Sequence, residues 1–238
     1  MKIEGKNAVY EALNSNLTIE KLLVSKEQNG SLQTLIDKAR EKKVRVEFVP
    51  KEVLQRQSEN NHHQGVIAYA TEYIYSTLED ILACDGEKFI LLVDEVNDPH
   101  NLGAIIRSAE CAGVSGIIIP KNRSCSVNET VIKVSTGACF NVKIAQVNNI
   151  NDCIRKLKEQ NIFVYGMEAD GNSIYRTDLT GNIALVVGSE GFGISTLTRK
   201  LCDEIISLPM FGQINSLNAS NAAAICLYEA VRQRLKVK

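Results

Sequence analysis

The chain has 238 residues, and its 27 Lys plus Arg nearly balance 28 Asp plus Glu for a formal charge of −1. Such balance excludes a strongly basic nucleic-acid coat and a polyacidic disordered tail. With 45% hydrophobic and 23% charged residues the chain can bury a sizeable core, and with 5% aromatics and no Trp it lacks an aromatic platform for stacking bases. Seven cysteines without a C-x-x-C pair fit free thiols in a reducing compartment rather than a disulfide framework or a zinc site. The N-terminus MKIEGKNAVYEAL has no apolar signal core, and no run reaches ~18 apolar residues, so a cytoplasmic protein without membrane contact is expected.

The first 75 residues read as a small α/β unit. NAVYEALNS has helical spacing, KLLVS is a short strand, and SLQTLIDKAREKK places Leu32, Leu35, Ile36 and Ala39 on one helical face. VRVEFV alternates as a strand, KEVLQRQS follows as a helix, and GVIAYA closes as a strand. Lys38, Arg40, Lys42, Lys43 and Arg45 make a basic cluster, either a solvated helix face or a patch for phosphates. His62 and His63 precede GVIAYA without other ligands nearby, which favours a structural or RNA-facing loop over a metal site.

Residues 76–88, within STLEDILACDGEK, read as a linker with a short helix. Beyond it FILLVDEV, GIIIP, FVYGM and IALVVG are apolar on both faces and alternate with helical stretches. This is the pattern of a buried, mostly parallel sheet, whose ligands gather at the carboxyl ends of the strands.

Three loops at those ends carry polar residues that packing does not require. In DEVNDPHNLGAIIRSAECAG, Asp98-Pro99 marks a turn and Asn101 stands where a helix N-cap belongs. Gly103 lies one turn before Arg107 and would leave open surface beside the guanidinium, where phosphate or ribose could approach; a surface ion pair is the plainer role for Arg107. In VVGSEGFGIS, Gly188, Gly191 and Gly193 permit close backbone approach, yet the order GxxGxG is neither a dinucleotide fingerprint nor a Walker loop. Glu190 inside that cluster suits a cationic or neutral ligand better than a phosphate. In SLPMFGQINSLNASNAAAICLYEAVRQR, Ser216 or Asn218 could cap the following helix, and the small residues after them suit close helix packing.

NDPHNLGAIIRSAECAGV, IALVVGSEGFGIS and LPMFGQINSLNASNAAAICLYEAVRQR together resemble the three ordered motifs of SpoU-type RNA ribose methyltransferases, within the SPOUT superfamily. IEGKNAVYEAL and HHQGVIAYA resemble the substrate-binding domain of the branch similar to 23S rRNA guanosine 2′-O-methyltransferases, a domain of ribosomal-protein L30e type. The resemblance implies an α/β chain with an RNA-binding domain over 1–75 and a catalytic domain over 89–238, whose sheet is threaded into a trefoil knot. It implies a homodimer, S-adenosylmethionine as cofactor held by Gly188, Leu208 and Leu217, and no metal. It implies that Arg107 activates a ribose 2′-hydroxyl of structured RNA, with ribosomal RNA favoured over transfer RNA. Asn101, Glu190, Ser216 and Asn218 would complete the catalytic pocket, and His100 would support it. A non-catalytic RNA-binding module for ribosome assembly and a nucleotide-dependent oxidoreductase stand as alternatives, separated by S-adenosylmethionine binding and by NAD binding.

Overall fold

The structure is a computed structural model that describes residues 1–27, 30–58, 62–189, 191–214 and 216–235. In chain order, β1 (Lys2–Glu4), α1 (Lys6–Asn14), β2 (Ile19–Ser25), α2 (Gln33–Glu41), β3 (Arg45–Val49), α3 (Lys51–Gln57) and β4 (Val66–Ala70) come first. They are followed by α4 (Leu78–Leu82), β5 (Phe89–Val93), α5 (Pro99–Cys111), β6 (Gly116–Pro120), α6 (Glu129–Val134), β7 (Ile144–Val147) and α7 (Ile150–Glu159). The chain continues through β8 (Phe163–Ser173), β9 (Ile183–Val187), α8 (Thr196–Leu201), β10 (Glu204–Ser207) and α9 (Ala219–Arg234). Two compact units result: Met1–Ile74 with Val127–Asn141, and Tyr75–Ser126 with Val142–Lys238.

The first unit is built on a mixed sheet of order β1-β4-β2-β3, antiparallel except for the β2–β3 pair. Leu23, Leu54 and Ile67 pack together in it, against Val49 and Tyr69. The excursion 127–141 belongs to this unit, and its seam with α1 is tight. Gly137 adopts φ +88, and a Cβ there would lie 2.7 Å from Cβ of Glu11. The two histidines part company: His62 is exposed, whereas His63 is 4% exposed and its Nδ1 accepts the Gly65 N–H at 3.0 Å. Burial lowers the His63 pKa, which keeps the ring neutral and its proton on Nε2.

The second unit carries a six-stranded sheet of order β10-β8-β9-β5-β6-β7, parallel throughout. Every residue of β5, β6 and β9 is buried, as two-faced apolar runs require when helices cover both sides. Leu78 and Ile81 of α4 join the core of this unit. A Cβ on Gly116 would come within 2.5 Å of Ile81, so only glycine admits α4 at that depth. Among the described residues no helix is long and apolar enough to cross a membrane.

Candidate active site

The middle of β8, the carboxyl ends of β9 and β10 and the start of α9 enclose a cleft of about 600 Å³. Residues 167–169, 187–189, 191–193, 206–208 and 216–219 line it, with Met210, Ala222 and Cys226. The second and third sequence motifs therefore converge here as parallel-sheet topology demands, because strand ends brought side by side bring their loops together. Gly188, Leu208, Ser216, Leu217 and Asn218 all stand on its wall. Glu190 lies outside the described residues.

The glycine loop after β9 is folded back on itself. Ser189 and Gly193 each donate a backbone N–H to the other's carbonyl at 3.1 Å. Any Cβ on Gly188 would sit 2.1 Å from the Gly193 carbonyl carbon, so residue 188 must be glycine for the loop to close. Gly193 has φ +65, and a Cβ there would be 2.2 Å from a carboxylate oxygen of Glu168. That same Glu168 Oε1 accepts the Ile194 N–H at 2.6 Å.

Helix α5 starts one turn earlier than the motif suggests. Asp98 is the N-cap, its carboxylate accepting the His100 N–H at 3.0 Å, and Pro99 occupies the first helical turn, where a missing N–H costs nothing. Asn101 is thus no cap; it lies inside the helix, 8% exposed. Its Oδ1 accepts the Asn218 side-chain N–H at 3.0 Å. Asn218 uses its other end as the N-cap of α9, its Oδ1 accepting the Ser220 N–H at 2.9 Å. One asparagine thereby ties the first motif to the third. Gly103 is buried rather than open, which corrects the expectation of bare surface beside Arg107. Arg107 itself is exposed on α5, outside the residues that line the cleft. His100 is exposed at the start of the same helix.

Two acidic residues escaped the sequence reading. Glu168 follows the apolar run FVYGM inside the long β8, and the switch from apolar to acidic at that point could have marked it. Asp94 follows β5 and is 5% exposed, with Oδ2 accepting the Thr198 hydroxyl at 3.1 Å. Burial pushes its carboxyl above the usual aspartate range, against the lowering effect of the Thr198 bond.

Residues 88–228 match the family described as SpoU rRNA Methylase, and residues 2–76 match the RNA 2′-O ribose methyltransferase substrate binding family. The chain belongs to the SpoU rRNA methylase family. The Escherichia coli (strain K12) 23S rRNA (guanosine-2′-O-)-methyltransferase RlmB is 41% identical over 220 residues, covering 90% of this chain and 90% of RlmB. The SpoU methyltransferase AviRb from Streptomyces viridochromogenes, solved with the cofactor AdoMet, superposes with a TM-score of 0.85 at 27% identity, covering 99% of this chain and 91% of that one. The Aquifex aeolicus TrmH/SpoU tRNA modifying enzyme gives a TM-score of 0.59 at 29% identity, covering 67% of this chain and 81% of that one.

The cleft suits the AdoMet (S-adenosylmethionine) that SpoU methyltransferases use. Its volume lies in the ~300–1,000 Å³ range of cofactor sites. Among the described lining residues the one ionisable carboxylate is Glu168, and none is Lys or Arg. Such a wall favours a sulfonium cation over a nucleotide phosphate, as SpoU chemistry requires.

Proposed function

We propose that this protein transfers a methyl group from S-adenosylmethionine to the 2′-hydroxyl of a guanosine in 23S ribosomal RNA. The observation that carries the reading is the Asn218–Asn101 hydrogen bond, which joins the wall of the cleft to the helix that bears Arg107. Bound in the cleft, S-adenosylmethionine supplies an electrophilic methyl group. Gly188, Leu208 and Leu217 hold it, largely through backbone groups. A ribose hydroxyl is a weak nucleophile until its developing negative charge is stabilised. Arg107 supplies that stabilisation and clamps the neighbouring phosphate; as a permanent cation it is a poor general base. Asn101 and Asn218 fix the distance between α5 and the cleft, Ser216 and Asn218 shape the pocket, and Glu190 has the role of orienting donors around the site. Much of the rate comes from aligning oxygen, methyl and sulfur.

In this reading residues 1–75 recognise RNA and residues 89–238 perform the transfer, with the knotted threading of the family's sheet. The protein works in the cytoplasm as a homodimer. Support for the dimer comes from exposed apolar side chains beside the cleft: Phe211 is 98% and Ile214 76% exposed, and Ile225 and Tyr228 stand out from α9. Ribosomal RNA is favoured over transfer RNA because the tRNA-modifying relative matches only 67% of this chain, whereas the RlmB match extends over 90%.

Mapping 2′-O-methyl groups in total RNA from cells with and without the protein tests this. One guanosine mark in 23S ribosomal RNA should vanish and return with the wild-type chain but not with Arg107→Ala. A mark lost from transfer RNA would move the substrate, and an unchanged map would overturn the reading.

A further inference from the structure

Strand β9 runs between β8 and β5, so the glycine loop that leaves it is flanked by the middle of the longer β8 on one side and by the end of β5 on the other. Each flank presents one carboxylate. On the β8 side, Glu168 Oε1 accepts the Ile194 N–H at 2.6 Å, and the carboxylate fills the space a side chain at residue 193 would need. On the β5 side, the Asp94 N–H extends the strand pairing by donating to Val187 carbonyl at 2.8 Å. Its side chain then accepts the Thr198 hydroxyl at 3.1 Å, and the Ser195 backbone N–H also points to it. Ser195 and Thr198 share a further bond at 2.9 Å, which carries the restraint into the first turn of α8.

We propose that Glu168 and Asp94 act as a two-sided clamp on the Gly193–Ser195 segment that packs on Gly188, and that Glu168 is a positioning residue for cofactor binding. The proposal deepens the reading above and rests on it. The physical chain is short. Gly193 packs on Gly188 so closely that no Cβ fits between them, and Gly188 is a cofactor contact of that reading. Freeing the Ile194 N–H releases Gly193, and the peptide at Gly188 loses the surface that holds it. Hydrogen bonds to a charged acceptor are about twice as strong as neutral ones, so the carboxylate is the dominant restraint on that side. Glutamine keeps an acceptor oxygen at the same reach; leucine keeps bulk and removes the acceptor.

The test compares wild type, Glu168→Gln, Glu168→Leu, Gly193→Ala and Thr198→Val by calorimetric titration with S-adenosylmethionine, and by hydrogen exchange of the 188–198 segment without ligand. Thermal melting confirms that each variant is folded. Glu168→Leu should weaken binding by about tenfold and speed exchange at Ile194 by a similar factor. Glu168→Gln should stay within about threefold of wild type on both counts, since acceptor geometry survives. Gly193→Ala should reproduce the leucine result from the opposite side, and Thr198→Val should lose a few-fold. The KM for S-adenosylmethionine should rise in Glu168→Leu with little change in kcat. Wild-type affinity or unchanged exchange in Glu168→Leu would overturn the clamp while leaving the functional reading intact. So would loss of binding in Glu168→Gln with exchange unchanged, since that means direct contact between the charge and the ligand. A wild-type chain that does not bind S-adenosylmethionine would refute the functional reading itself.

Discussion

Two buried carboxylates, Glu4 in the first unit and Asp94 in the second, respond to burial in opposite ways, while Glu229 of the second unit is held low by Arg232 as Glu4 is by its lysines. Glu4 in the first unit is 8% exposed, and burial alone would raise its pKa. The Ser58 hydroxyl at 2.7 Å and the ammonium groups of Lys133 and Lys2, each at 3.4 Å, outweigh burial and hold the carboxyl below 4.5. Asp94 in the second unit has the hydroxyl but no such pair of cations, and burial prevails. Glu4 therefore fastens: Lys133 comes from α6 and Lys2 from β1, so the ion pairs tie the 127–141 excursion to the N-terminal strand. Asp94 costs stability where it stands, at the edge of the loop that shapes the cleft.

The sheets differ in the same way. β5, β6 and β9 are wholly buried, whereas no residue of β3 is, and its Phe48 is 42% exposed. Leu92→Ala, in the middle of the parallel sheet, should therefore cost ~2–5 kcal/mol in chemical denaturation. Phe48→Ala should cost well under half as much, and equal losses would erase the contrast between the sheets. Arg107→Ala should lower methyl transfer by ~10²–10³-fold with the melting temperature and S-adenosylmethionine affinity unchanged, because its side chain is exposed on α5. Asn101→Ala and Asn218→Ala should show a coupling of ~0.5–1.5 kcal/mol in a double-mutant cycle read by denaturation. Additive losses would mean that the bond between the first and third motifs contributes nothing.

The smallest effect has opposite signs at Glu4 and Asp94. Glu4 has a lowered folded pKa, so its stabilisation is present above the ordinary value of 4.5 and is lost as pH falls through the folded pKa. Asp94 has a raised folded pKa, so protonation favours the fold, and that advantage is lost as pH rises above 3.8 through the folded pKa. Glu4→Gln should melt below wild type at neutral pH and converge with it in acid. Asp94→Asn should melt above wild type at neutral pH and converge in acid. Melting curves across this range, with both variants shifted in the same direction, would contradict the division.

Much of this was legible in the sequence because the parallel strands are two-faced apolar runs. GIIIP is β6 to the residue, and IALVV is β9. The short strands β1 and β7 carry only three and four residues, too few for periodicity to register. The membership of 127–141 in the first unit rests on long-range contacts such as Lys133–Glu4, which no local pattern encodes. Gly188, Ser216 and Asn218 stand out as polar or glycine positions at strand ends, whereas Leu208 and Leu217 are visible only through the family resemblance; topology brings all five to one wall. Asn101 has the residue type of a cap, but the cap is Asp98: the Asp98-Pro99 pair read as a turn is itself the helix start, with the proline in the first helical turn. Glu168 and Asp94 stayed hidden because their partners, Ile194 and Thr198, are 26 and 104 residues away.

The central claim is that the acceptor is a ribose 2′-hydroxyl. The direct measurement is transfer of labelled methyl from S-adenosylmethionine to the 23S ribosomal RNA fragment that carries the mapped guanosine, alongside the same fragment with a single 2′-deoxyguanosine there. The account predicts stoichiometric labelling of the first and none of the second. Equal labelling of both would mean that the methyl goes to another atom, and the assignment of this cleft to ribose methylation would fall.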